Sequence, residues 1–301
     1  MIYTVTFNPA IDYVVQLSHP LELGKINRNA QEAFQFGGKG INVSNVLNAM
    51  GFPNAALGFI AGFTGDALEQ GLQAMGLDTM FIPVREGMTR INVKIKAGAE
   101  TEINGLGPVI TAADMELLYD RLDALLPGDI LVLSGSIPAC LPECTYKTIM
   151  ERLRKKDISI VVDAAGELLL NVLPYRPFLI KPNNYELGEI FGKTPVSDDE
   201  ILDCARRLQA MGGRNILVSL AGDGALLLDE TGVSHRVPCP KGTVVNSVGA
   251  GDSMVAGFLA GWLKTGDYRV ALKTGIAAGS ATAFSLGLAT DEQIQALLQT
   301  L

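Results

Sequence analysis

The sequence predicts an α/β fold: a mostly parallel central sheet covered by helices on both faces, with a small antiparallel β appendage. Three observations predict it. Short β-branched runs alternate with longer helical patterns almost from end to end of the 301 residues, the rhythm of βαβ units. Those runs are nearly continuous in apolar residues, as in strands buried on both faces. One stretch instead alternates strictly between apolar and polar residues, which predicts a hairpin with one wet face.

In chain order, "IYTVTF" reads as a strand and "GINVSNVLNAMG" as a helix, because Ile41, Val43, Val46, Leu47 and Met50 recur at helical spacing. "AALGFI" is a strand, followed by a helix near Asp66–Met75. The alternating stretch is "RINVKIKAGAETEING": Ile91, Val93 and Ile95 point one way, Asn92, Lys94 and Lys96 the other, and "AGAE" returns the chain. Together with the irregular region from Asp12 to Phe36, this predicts a small antiparallel sheet standing off the main one, as a lid, a dimer surface or both, the alternative being a plain surface hairpin. Then come the strand "DILVLSGS", the helix "PECTYKTIMERLRKK" and the strand "ISIVVDA". "PFLIKP" precedes the helix "NYELGEIFG", a further helix near Asp198–Met211 leads to "NILVSL", and the chain is helical from Gly251 onward.

The composition, 48% hydrophobic with 33 glycines, is ample for a sizeable core, either one large α/β domain or a domain with an appendage. A net charge of −8 argues against a broad nucleic-acid or anionic-membrane surface. Cys140, Cys144, Cys204 and Cys239 form no CxxC pair, and the histidines are His19 and His235, so no structural zinc is expected. "MIYTVTFNPA" reads as a strand rather than a signal peptide. No run of about 18 apolar residues predicts a membrane span. A cytoplasmic enzyme with reduced thiols is the expectation.

Several loops carry chemistry. In "NSVGAGDSMVAGF", Met254, Val255, Phe258, Leu259, Trp262 and Leu263 fall on one face of a helix that begins near Gly251. Gly249 and Gly251 remove side chains where free amides and the helix dipole would face an anion. The spacing is neither a dinucleotide fingerprint nor GxxxxGK[ST]. Asp252 among those amides has two readings, a carboxylate satisfying helix-start N–H groups or a base beside a transferring phosphoryl group.

"FGGKGINVS" is a second glycine-rich helix opening: Gly37, Gly38 and Gly40 admit a ligand and Lys39 supplies a point charge, or the loop simply needs unusual backbone angles. In "KPNNYELGE", Asn183 and Glu186 fit a capping box; the functional alternative has them reach a hydrated Mg²⁺ and nucleotide phosphates. "SLAGDGALLL" places Ser219 at a strand end and Gly222 and Gly224 in a tight turn, a plain hairpin or a nucleotide rest. "SGSIP" puts Ser134 and Ser136 at a strand end, where open α/β sheets bind ligands. Lys25, Arg28, Lys39 and Arg90 cluster around the odd hairpin, as solvated charges or as an anion clamp in an acidic protein.

Taken in order, "GGKGINVS" near residue 40, "KPNNYELGE" near 185 and "VGAGDS" near 250 resemble the two signature regions and the nucleotide motif of the ribokinase-like (PfkB) family of carbohydrate kinases, over essentially the whole chain. "TFNPAIDY", "GKINR", "TRINVKIK" and "VGAGDSMVAGF" most resemble its branch acting on fructose 1-phosphate. The resemblance implies one ribokinase-like three-layer α/β/α domain over residues 1–301, with a small antiparallel β lid from approximately 11–36 and 87–106 and a homodimer through that lid. It implies Mg²⁺- and ATP-dependent phosphorylation of a ketohexose monophosphate, most closely fructose 1-phosphate to fructose 1,6-bisphosphate. Tagatose 6-phosphate and fructose 6-phosphate are the alternatives. A non-catalytic sensor of sugar phosphates or nucleotides is the alternative of another class, and Asp252, Lys39 and Glu186 retained together speak against it.

Residue by residue, the resemblance implies Asp252 as base and Gly249, Ala250 and Gly251 as amides stabilising the transferring phosphoryl. Asp12 would hold sugar hydroxyls, with Gly38, Lys39, Asn42 and Ser136 lining the sugar site. Lys25, Arg28 and Arg90 would grip the phosphate already on the substrate. Lys181, Asn183, Glu186, Ser219, Gly222, Gly224 and Ser247 would form the Mg·ATP side, with Glu186 reaching the metal through water. Many family members carry Asp-Thr where this chain has Asn246-Ser247; in ribokinase that aspartate helps form a monovalent-cation site, so potassium activation is not expected here.

Overall fold

The computed structural model describes residues 1–301, the side chain of Ala99 apart. In chain order the elements are β1 (Ile2–Thr6), β2 (Ala10–Leu17), β3 (Asn29–Gly37), α1 (Lys39–Ala49), β4 (Asn54–Ile60), α2 (Gly62–Ala74), β5 (Asp78–Pro83), β6 (Arg90–Ala97) and β7 (Ala99–Asn104). Then follow α3 (Ala112–Asp123), β8 (Ile130–Ser134), α4 (Thr145–Leu153), β9 (Ser159–Asp163), α5 (Gly166–Leu170), β10 (Leu179–Ile180), α6 (Asn184–Phe191) and α7 (Asp198–Ala210). β11 (Asn215–Ser219), β12 (Ala225–Leu228), β13 (Ser234–Val237), α8 (Ala250–Thr265), α9 (Tyr268–Ala283) and α10 (Asp291–Leu298) complete the chain.

The main sheet has nine strands in the order β13-β12-β11-β10-β9-β8-β1-β4-β5. β11 through β5 in that order are parallel, and β12 and β13 add an antiparallel edge. Alternation along each strand feeds both faces. Ile130 and Val132 of β8 enter the core beneath α1, α8 and α9, while Leu131 and Leu133 enter the core beneath α3 and α4. The three-layer α/β/α arrangement expected from the sequence is therefore present. Helices α3, α6, α7 and α10 open on capping boxes, Thr111 with Asp114, Asn183 with Glu186, Ser197 with Glu200 and Thr290 with Gln293.

The second sheet runs β3-β2-β6-β7. Its outer pairs are antiparallel, and the two hairpins meet along a parallel pair, β2 with β6. The stretch from Asp12 to Phe36, read as irregular, contains most of two long strands. β3 is exposed at nearly every position, so burial imprints no clear alternation on its composition.

The hairpin's alternation is as read, but its faces are the reverse of the expected ones. Asn92 and Lys94 are only 7% and 9% exposed, whereas Phe34 and Ile103, in register on the apolar face, are 64% and 60% exposed. Polar side chains turn inward because Asp12 lies between them, and the apolar face is covered only at its root. There Ile11, Phe36 and Ile91 pack with Leu68 and Leu72 of α2.

Candidate functional site

The carboxyl ends of the parallel strands β1, β8, β9, β10 and β11 gather the polar residues, at the crevice where strand order reverses between β8 and β1. At its centre α8 begins after Gly249, whose left-handed φ of 80° turns the chain into the helix. Ala250 donates its N–H to Ser247 O at 3.2 Å and Ser253 to Gly249 O at 2.8 Å. The amides of Gly249, Gly251 and Asp252 make no backbone bond, so they are the free donors of this helix start.

Asp252 does not cap those amides. Its carboxylate is 6% exposed and accepts from Asn42 Nδ2 at 2.8 Å. Burial pushes its pKa up to about 7, reinforced by the negative charge of Asp163 and opposed by the Asn42 bond, Lys39 and Lys181. The sequence treats Asp252 as an ordinary carboxylate; its surroundings make it a far better proton acceptor.

Lys181, just past β10, is buried, and its Nζ lies 3.2 Å from Asp163 Oδ1. Burial alone would lower the pKa of Lys181, but Asp163, Asp252 and Glu186 together raise it. Gly251 allows this approach, since a Cβ there would stand 3.2 Å from Lys181 Nζ. Asp163, at the end of β9, also faces Lys39 Nζ at 3.7 Å, and its Oδ2 has no hydrogen-bond partner. Asp163 is the central residue missed in the sequence. The available signal was a carboxylate closing the buried strand "ISIVVDA", at the same strand end as Ser134 and Ser219.

The glycines of "FGGKGINVS" have a packing role. A Cβ on Gly40 would sit 2.7 Å from Thr6 Oγ1 and 2.8 Å from Val5 O, so α1 lies directly on β1. Thr6 Oγ1 in turn accepts the Ile41 N–H at 3.1 Å. Gly38 caps the helix, which places Lys39 and Asn42 on its first turn. Gly135 lies against the Lys39 side chain, and the adjoining Ser136 is exposed.

Of the residues expected on the nucleotide side, Asn183, Ser219, Gly222, Gly224 and Ser247 line one cavity of about 360 Å³, together with Ala250 and Gly251. Its far wall is apolar and was not anticipated: Ile276, Ala283 and Phe284 of α9 and its end, with Met254 and Val244. Asn183 and Glu186 do form the capping box, Asn183 Oδ1 accepting from Glu186 N and Glu186 Oε2 from Asn183 N, both at 2.8 Å. Lys181 and Glu186 stand outside the cavity lining.

On the other side, Asp12 accepts from Asn92 Nδ2 at 2.8 Å. Arg90 is half-buried and donates from Nε to Asn8 O at 3.1 Å; burial lowers its pKa and Asp12 opposes the shift. Lys25 and Arg28 are not brought to this cluster. They lie in the loop joining β2 to β3, beyond Leu17, five strand positions or about 17 Å from Asp12. Lys25 pairs with Glu22, and Arg28 is exposed. The expected three-residue clamp is thus reduced within one chain to Arg90.

The model of the pfkB family carbohydrate kinases matches residues 5–295. A 1-phosphofructokinase of Bacillus subtilis is 46% identical over 99% of this chain and 97% of its own. A D-tagatose-1-phosphate kinase of Bacillus licheniformis is 38% identical over 96% of this chain and 94% of its own. Among solved structures, phosphofructokinase-2 of Escherichia coli in complex with substrates and products superposes with a TM-score of 0.93 at 25% identity, covering 100% of this chain and 99% of its own. The chain belongs to the pfkB family of carbohydrate kinases.

Proposed function

We propose that this chain transfers the γ-phosphoryl group of ATP to the C6 hydroxyl of fructose 1-phosphate, giving fructose 1,6-bisphosphate and ADP. The observation that carries the reading is Asp252: a buried carboxylate of raised proton affinity, at a helix start with free amides, next to Gly251 of the nucleotide-side cavity and bonded to Asn42 of α1. Relatives named for fructose 1-phosphate and tagatose 1-phosphate support a substrate phosphorylated at C1.

The hydroxyl oxygen forms the new bond to the γ-phosphorus as the bond to the ADP oxygen breaks, and the hydroxyl proton passes to Asp252. Proton transfer late in a loose transition state asks little of the base, and positioning and charge supply most of the rate. Of the three amides expected there, that of Ala250 is taken by Ser247 O, and the N–H groups of Gly249 and Gly251, joined by that of Asp252, serve the charge on the transferring group. Lys181 and Lys39 balance Asp163 and Asp252, so the site holds two carboxylates without expelling the phosphates. Lys39, Asn42, Gly38 and Ser136 complete the sugar side around Asp12 and Arg90.

The residues fit a hydrated Mg²⁺: Glu186 uses Oε2 in its cap, which leaves Oε1, and Asp163 Oδ2 accepts no hydrogen bond. These carboxylate oxygens would hold the ion through water, and bound there it would neutralise charge on the nucleotide phosphates.

The second sheet serves in this reading as a lid that excludes water. Its outward apolar face, around Phe34 and Ile103, is the surface for a homodimer. An Escherichia coli phosphofructokinase-2 is described in a tetrameric inhibited form, so light scattering should decide between the two states. No helix is long and apolar enough to cross a membrane, and we place the reaction in the cytoplasm, where ATP and sugar phosphates are at hand.

The test is coupled ADP release with fructose 1-phosphate, tagatose 1-phosphate, fructose 6-phosphate and tagatose 6-phosphate side by side. The highest kcat/KM is expected with fructose 1-phosphate. A higher value with a 6-phosphate overturns the assignment, and no turnover with any of them favours the sensor.

A further inference from the structure

Asp12 is held at both carboxylate oxygens. Asn92 Nδ2 donates to Oδ1 at 2.8 Å, and Lys94 Nζ lies 3.4 Å from Oδ2. Each holder is itself anchored: Asn92 Oδ1 accepts the Gly105 N–H at 3.2 Å, and Lys94 Nζ lies 3.6 Å from Glu102 on β7. Asn92 and Lys94 are both buried, in a sheet face that sequence alone assigns to water. Asp12 Oδ2 abuts Gly37, where a Cβ would stand 3.4 Å away. The carboxylate therefore sits beside the start of α1, which carries Asn42 and its bond to Asp252.

A carboxylate on a free side chain turns about a broad, two-fold torsion. This one has its plane set from β6. Lys94 is poorly placed as a direct phosphate ligand, because its charge is already shared between Asp12 and Glu102. Its evident effect is on the orientation of Asp12.

We propose that Asn92 and Lys94 are positioning residues that hold Asp12 as a reader of hydroxyl configuration, and thereby set the preference between ketohexose 1-phosphates that differ at a single carbon. The inference rests on the sugar-phosphate kinase reading above. A fixed acceptor pairs with a hydroxyl in one configuration and is left unpaired by the other, which is how a polar site discriminates strongly. A carboxylate free to turn follows either epimer and discriminates weakly.

The experiment measures kcat and KM for fructose 1-phosphate, its C4 epimer tagatose 1-phosphate, and ATP. The proteins are the unaltered chain, Lys94→Met, Lys94→Arg and Asn92→Ala, each checked by thermal melting. In Lys94→Met and Asn92→Ala, KM for fructose 1-phosphate should rise about tenfold while KM for ATP holds, roughly the effect of one charged hydrogen bond. The ratio of kcat/KM between the two sugars should move toward one by about tenfold, and Lys94→Arg should restore part of it. Parallel losses on both sugars, an equal change in KM for ATP, or an unaltered protein whose ratio is already near one would each overturn the positioning role. No turnover of either sugar by the unaltered protein overturns the functional reading and this inference with it. Turnover with a ratio that the variants leave unmoved overturns this inference alone. Should Lys94→Met fail to fold, Asn92→Ala and Lys94→Arg carry the same comparison.

Discussion

Asn42 donates from Nδ2 to Oδ2 of Asp252 at 2.8 Å, joining the first turn of α1 to the first turn of α8 across 210 residues. The bond separates two roles for the same aspartate. A capping carboxylate would fold back onto its own amides; Asp252 turns away from them and toward α1, which leaves the amides free for an anion.

The pH profile should report this environment. With its pKa pushed up to about 7, Asp252 is protonated and idle as a base in mildly acidic solution. We expect kcat/KM for the sugar phosphate to climb about tenfold per pH unit below 7 and level off above it. Asn42→Ala removes a bond that favours the ionised form and should move the midpoint up. Asp163→Asn removes a neighbouring negative charge and should move it down. Shifts in one direction for both variants would refute this electrostatic account.

Asp252→Asn should lower turnover by at least about a hundredfold while calorimetry finds ATP binding largely retained. The same variant should be more heat-stable at pH 8. The folded pKa lies above the ordinary carboxylate value, so the folded protein holds the extra proton between about pH 4 and 7. Stability from this group is present below that window and lost as pH rises through it. We expect the melting temperature at pH 8 to rise by about 2 °C or more, with the gain fading toward pH 4. A lower melting temperature at pH 8 would contradict the sign.

Asp163→Asn leaves Lys181 buried with one counter-ion fewer. Urea unfolding should show a loss of roughly 3 kcal/mol, the scale for breaking a buried pair. An effect within about 0.5 kcal/mol, as at an ordinary surface site, would mean that Asp252 and Glu186 suffice to hold the ammonium.

Two glycines should behave differently. Gly40→Ala forces a Cβ against Thr6 Oγ1 and Val5 O and should cost about 1–3 kcal/mol of stability. Gly222→Ala meets nothing within 4 Å, yet Gly222 lines the nucleotide-side cavity. It should leave the melting temperature in place, and its effect should be read in KM for ATP.

Arg90→Ala should raise KM for the sugar phosphate about tenfold, the scale of a lost charged hydrogen bond, and KM for ATP far less. Equal changes in both would remove Arg90 from the substrate side.

Much of this architecture was legible because parallel buried strands write themselves as apolar runs, and because glycines mark where α1 and α8 begin. The inward face of β6 was not legible. Alternation says that a strand has two faces, and only the burial of Asn92 and Lys94 says which is covered. The place of Lys25 and Arg28 was illegible for a related reason: membership of a hairpin does not tell which end of it a residue occupies. Asp163 was missed because a single carboxylate after an apolar strand has no local pattern; it gains meaning from Lys181 and Lys39, which other segments supply.

The clasp between α1 and α8 also bears on how the molecule assembles. β1, the partner of β4 and β8, lies inside the sheet, third from its β5 edge, and α8 can dock beside α1 only when those strands are in register. Such distant pairings are slow, because the chain must lose loop entropy before the contacts that reward it form. The carboxylate at the heart of the site should therefore be desolvated among the last groups in refolding, so that secondary structure returns before activity does.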